Sequence, residues 1–210
     1  MPKKFLIPRL FSIQESQYEV PYQIEVWAPD HRCIDEVDSN TGFREVYMIL
    51  VEKDKQFRDG LYKAYWPSGT IAAVGCYING ELSGRCYTYF QNGKPECEYF
   101  VRKGKHFFED ETWHENGQKS EEIHYDHTGT PHGASRRWWP SGQLKEEFTH
   151  VQGSRDGLYR RWHQNGQIAE EFAYKGGVAE GRYRQWAEDG ILTQDAMCRE
   201  GVQIQRYQKI

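Results

Sequence analysis

Glycine spacing limits this chain to few architectures. Sliding the sequence against itself by 24 or 25 positions aligns three glycine columns. The first holds Gly60, Gly84, Gly133, Gly157 and Gly181, with Phe108 as its one substitute. The second holds Gly69, Gly93, Gly117, Gly142, Gly166 and Gly190, and the third Gly80, Gly104, Gly129, Gly153, Gly177 and Gly201. Since 17 of the 20 glycines lie on this grid, the chain is an array of about six short units that bury their apolar side chains against one another.

The composition suits thin units. Hydrophobic residues make up 38 % and aromatic residues 15 % of the chain, and the mean hydropathy is −0.89. Burial must therefore come from Tyr, Trp and Phe, whose rings cover large areas. The 27 basic and 31 acidic residues are interspersed and give a net charge of −4, which excludes a strong polyanion footprint and argues against DNA or RNA as a ligand. Five cysteines without a CxxC pair read as buried reduced thiols. The apolar run Phe5–Ile7 is broken by Pro8 and Arg9, too short for a signal peptide or membrane span, so a cytoplasmic location is expected.

The division expected is a lead-in and cap over 1–58, a repeat array over 59–203 and a tail over 204–210. Within the cap, Pro21–Trp27 (PYQIEVW) resembles Gly60–Trp66 (GLYKAYW). An irregular excursion passes Cys33 and Asp38, and Phe43–Val51 reads as the return strand of a capping hairpin. In the array the second glycine always follows Asn, Ser or Asp between aromatic-rich flanks, which makes each unit a β-hairpin.

Counting outward from two-residue turns sets Arg136 opposite Glu147, Arg160 opposite Glu171 and Arg184 opposite Asp195. On the other face Arg137 meets Glu146 and Arg161 meets Glu170. A bulge after the glycine is expected to undo this match. Glu111 opposite Glu122 breaks the charge rule in the third unit, which also has Phe108 in place of glycine and an extra residue near Asp126–Thr128. One column is aromatic throughout: Tyr65, Tyr89, Trp113, Trp138, Trp162 and Trp186. Its rings are expected to pack in a ladder, Trp162 on Trp138 and Trp186. Ile71, Leu144, Ile168 and Leu192, with Tyr99, Ile123, Phe148 and Phe172, are expected mainly on the opposite face. The fold class is all-β: an elongated, mostly single-layer antiparallel meander of about fourteen strands, on the order of 65 Å long.

The alternation G-x-Y-x-x-W-x-x-N-G-x-I/L-x-x-E-x-x-Y with a closing glycine, over residues 59–203, resembles the MORN-repeat variant of bacterial YwqK-type antitoxin proteins. The resemblance implies a non-enzymatic protein that binds and neutralises a toxin encoded nearby. It carries over no catalytic residue and no cofactor. The alternatives are a MORN-type scaffold or membrane-surface adaptor, which the missing polybasic run disfavours, and an enzyme working through residues 1–58. His106, His114, His124, His127 and His132 cluster in the third and fourth units, but His114 and His124 fall on opposite faces in the counted register, so no metal site is expected. Partner specificity is expected where the copies depart from the repeat: at Phe107, Phe108 and Glu109, at Asp126, His127 and His132, and in the cap.

Overall fold

The computed structural model describes residues 30–52 and 55–206; the expected strand Pro21–Trp27 lies outside them. The described residues form one antiparallel sheet. Its strands are β1 (His31–Val37), β2 (Arg44–Glu52), β3 (Lys55–Tyr65), β4 (Ile71–Ile78), β5 (Glu81–Leu82), β6 (Gly84–Tyr89), β7 (Pro95–Arg102), β8 (Lys105–Trp113) and β9 (Lys119–Tyr125). They continue as β10 (Pro131–Trp138), β11 (Leu144–Val151), β12 (Ser154–Arg155), β13 (Gly157–Trp162), β14 (Ile168–Lys175), β15 (Val178–Trp186), β16 (Leu192–Arg199) and β17 (Val202–Arg206). Each strand pairs with the next in sequence, β5 and β12 being short starts of β6 and β13, so the chain is an open meander of hairpins as expected.

The first hairpin among the described residues differs from the expectation. Its outgoing strand is β1, through Cys33, and the turn follows at 38–42. Asp38 makes that turn: its carboxylate accepts the Asn40 N–H and the Thr41 hydroxyl, each at 2.8 Å, and Gly42 takes φ +73°.

The two rims of the sheet carry different turns. On one rim the second-column glycines close three-residue loops. In the fourth unit Gly142 N–H donates to Trp139 C=O, Trp139 N–H donates to Gln143 C=O, and Gly142 has φ +86°. This is a type I turn followed by a left-handed residue. The two-residue loops counted from sequence are therefore wrong, yet the register is right, because a bulge one step further on compensates. Trp138 pairs with Leu144, Lys145 bulges, and Arg137 returns to Glu146 and Arg136 to Glu147. All five expected opposite-charge pairs face each other across the strands.

The bulge also corrects a face. Ile71, Leu144, Ile168 and Leu192 pair directly with Tyr65, Trp138, Trp162 and Trp186, and so share the face of the aromatic column. Trp138, Trp162 and Trp186 do not stack on one another, since successive copies stand two strands, about 10 Å, apart. Ring-on-ring packing runs instead along the opposite face, where Phe148, Tyr159, Phe172 and Tyr183 follow one another at centroid distances of 6.2, 4.8 and 5.6 Å. Phe148 is 3 % and Tyr159 7 % exposed, so the closest thing to a core lies on this tyrosine face.

On the other rim the third-column glycines sit in two-residue turns. Asn79, Lys103, Gln152 and Glu200 precede Gly80, Gly104, Gly153 and Gly201 with φ of 49–52°. The extra residue of the third unit is absorbed here: Asp126–Thr130 makes a three-residue loop closed by Asp126 N–H to Thr130 C=O and Gly129 N–H to Asp126 C=O. The first-column glycines mark a second irregularity just beyond this rim, a shift of two residues between neighbouring strands. An even shift returns every side chain to its own face.

Two rows of side chains therefore run across the whole sheet. On the tyrosine face the row is Glu36, Glu45, Ala64, Ala73, Thr88, Cys97, Thr112, Glu121, Arg137, Glu146, Arg161, Glu170, Gln185, each paired with the next. On the tryptophan face it runs Glu98, Glu111, Glu122, Arg136, Glu147, Arg160, Glu171, Arg184, Asp195.

Candidate partner-binding site

Repetition makes most of this surface self-satisfied, so a site must lie where satisfaction fails. In the regular units the arginines are spent on glutamates: Arg137 bridges Glu121 and Glu146 at 2.6 Å each, and Arg160 holds Glu171 at 2.9 Å. The hydrogen bond from Arg160 holds the Glu171 carboxyl below its ordinary range. Arg184 faces Asp195 in register but reaches back to Glu171, and Asp195 is held by Arg182. Tyr159 and Tyr62 donate their hydroxyls to Glu146 and Glu45 at 2.9 and 2.8 Å. Burial first, then that glutamate, pushes each phenol's pKa up.

Ring N–H groups tie unit to unit. Trp66 donates to Tyr89 C=O at 2.9 Å and Trp139 to Trp162 C=O at 3.3 Å. His114 and His163 take the same place, each with Nε2 2.9 Å from the carbonyl of Trp138 or Trp186. These struts occupy the same position before the turn in four of the six units, Phe90 and Ala187 standing there in the other two, a signal hidden when the histidines are counted as a cluster. His106 stacks on Tyr99 at 5.1 Å, and His124 Nδ1 meets Ala134 C=O at 2.8 Å.

The third unit departs from this order. Glu98, Glu111 and Glu122 stand side by side in one row. Lys119 pairs with both Glu111 and Glu122, Arg136 approaches Glu122 at 3.4 Å, and Arg85 pairs with Glu98. The carboxylate run that breaks the charge rule is thus neutralised by Lys119 and Arg85 from displaced positions and by Arg136 from directly opposite Glu122. His124 Nε2 lies 3.8 Å from Glu109 and 3.9 Å from Glu122. These three could offer a cation one nitrogen and two oxygens, but Glu122 already faces Lys119 and Arg136.

The residues singled out from sequence separate into two groups. Asp126 builds a turn: its Oδ1 accepts the Thr128 N–H, the Thr128 hydroxyl and the Thr130 N–H within 3.0 Å, which holds its pKa down at about 2. His127 and His132 are exposed beside it, and Glu109 pairs with His124. Phe108 is different. It occupies the first-column bulge, where the other five copies have glycine at φ of 83–107°, and takes φ +68° itself. An L-residue pays roughly 1–2 kcal/mol for that conformation. The ring is nevertheless 67 % exposed, in edge contact with Phe100 at 5.3 Å and near Phe107 at 6.4 Å. A strained backbone thus holds an aromatic ring out to solvent.

Comparison with known proteins bears on the units themselves. The MORN repeat variant model matches residues 58–79, 111–127, 131–152 and 155–175, the first, third, fourth and fifth units and less than half of the chain. Those four stretches are similar to the MORN repeat variant, which fits the repeated hairpins of the sheet. No curated protein matches the sequence. Among solved structures, a porin-like protein from Bacteroides uniformis aligns over 83 % of this chain and 86 % of its own, at 10 % identity and a TM-score of 0.23, from which nothing about this chain follows.

Proposed function

We propose that this protein is a non-enzymatic scaffold that binds a partner protein through its third unit, and that the partner is a toxin which it neutralises by covering it. The observation that carries the binding reading is Phe108. Aromatic rings contribute strongly to interface energetics, and Phe108, unlike the left-handed residues that make the two-residue turns, stands where every other copy has glycine. Phe100 and Phe107 beside it and the exposed His127 and His132 near the same rim extend the surface. Toxin neutralisation rests on the resemblance of the repeats to antitoxin proteins and is the finer part of the proposal.

The test is affinity capture from the native host with the tagged wild type and with Phe108→Gly. A protein partner held by the wild type and lost by the variant supports the site. Capture that is indifferent to Phe108 overturns it. Failure of the captured partner to harm cells, or of this chain to protect them, removes the toxin reading and leaves a MORN scaffold.

A further inference from the structure

The row on the tyrosine face is incomplete at its N-terminal end. In the later units each arginine lies between glutamates of the two flanking strands, as Arg137 does between Glu121 and Glu146. Ala64 stands opposite Glu45 as Arg137 stands opposite Glu121, and small residues continue the row at Ala73 and Thr88. Where arginine side chains fill the row further along, these units leave an open cleft of about 710 Å³ beside the turn at 38–42.

The cleft keeps the carboxylates, and among the described residues no cation stands in the row position that Arg137 fills further along. Among the described residues Glu36, Asp38, Glu45 and Glu96 line it, and no lysine or arginine does. Glu45 is engaged by Arg58 and by the Tyr62 hydroxyl, each at 2.8 Å. Glu36 accepts the Tyr47 hydroxyl at 2.9 Å, a neutral donor that leaves its charge uncompensated. Among the described residues Glu36, Asp38 and Glu96 have no cationic partner. Phe43 and Trp66, 4.8 Å apart, add aromatic faces on which a planar cation stacks.

We infer that this cleft receives an arginine side chain presented by a protein partner, which completes in trans the row that Arg137 and Arg161 complete in cis. A guanidinium fits because it offers several donors in one plane, can reach two carboxylates at once and is weakly hydrated, so it stacks on rings better than an ammonium does. The inference rests on reading the protein as a protein-binding scaffold but concerns a different place from Phe108, so the two fail separately.

The test is binding of a fluorescent glycine–serine peptide with two central arginines to the full chain, against the same peptide with lysine or with citrulline. Arginine is expected to bind best and citrulline, its uncharged isostere, roughly tenfold or more weaker. Ala64→Arg supplies the missing side chain from within and is expected to abolish binding while circular dichroism stays unchanged. Should that variant fail to fold, Glu36→Gln combined with Glu96→Gln is expected to weaken binding roughly tenfold. Equal binding of citrulline, or undiminished binding to a folded Ala64→Arg or to the double glutamine variant, overturns the inference. Lost peptide binding with partner capture through Phe108 intact would sink the cleft alone.

Discussion

Replacing Phe108 by glycine and by alanine should invert the usual order of stability. Both substitutions lose the same ring. About one third of its surface is buried, on the order of 50–80 Å² of apolar area, worth about 1.3–2 kcal/mol. Alanine retains the left-handed conformation and its penalty of roughly 1–2 kcal/mol, whereas glycine, the residue of the other five copies, removes it. Phe108→Ala is therefore expected to cost about 1.5 kcal/mol and Phe108→Gly about nothing. The gap between them, roughly 1–2 kcal/mol, corresponds to about 2–8 °C in melting temperature for a chain of this size. Leu158 is the control, an exposed strand residue outside the left-handed region, where alanine should exceed glycine by about 0.5–1 kcal/mol. Thermal melts followed by circular dichroism on the four variants decide the matter. If Phe108→Ala proves as stable as Phe108→Gly, the strain is not there and the case for a functional ring loses its premise.

Other outcomes follow from the same geometry. A Cβ on Gly129 would come within 2.8 Å of the His106 carbonyl oxygen, whereas one on Gly69 meets nothing within 4 Å. Gly129→Ala should therefore lower the melting temperature more than Gly69→Ala. His114→Ala leaves the Trp138 carbonyl without its ring donor and should cost about 1 kcal/mol in urea unfolding, with His163→Ala alike. Because the folded-state pKa of Glu171 is depressed, its contribution is present above the ordinary glutamate range and lost as pH falls through the folded value. Glu171→Gln should thus destabilise at pH 7 and converge with the wild type in acid melts. Iodoacetamide at pH 8 should modify exposed Cys33 first. Cys86, 2 % exposed with its pKa pushed up to about 11 by burial, and Cys97, pushed up to about 12, should react last, as mass spectrometry of the labelled protein would show.

Side-chain register was legible because glycine spacing and charge complementarity both depend on it. Arg160 with Glu171 and Arg137 with Glu146 could be found by counting. Turn class was not legible, because the longer loop at Trp139–Gln143 and the bulge at Lys145 cancel in that count. Only residues between the two are affected, and Leu144 and its equivalents lie on the face opposite to the one that counting assigns. The aromatic column was visible in sequence but not its spacing, since a repeat of two strands holds Trp138 and Trp162 apart. His114 and His163 carried their structural role in plain periodicity, obscured by tryptophan at the same position in other units. Phe108 could be named as a departure from glycine, but its left-handed backbone and its exposure became visible only in three dimensions.

The loop at Asp126–Thr130 shows what this architecture tolerates. An added residue there changed the turn and left both side-chain rows in step from Glu98 to Asp195. Length can therefore drift at that rim without the rest of the molecule having to relearn its pairing. The opposite rim is pinned, because each loop and its bulge must change together. Insertions, tags or grafted recognition loops belong at the third-column glycines, and diversity among related chains should accumulate on that side.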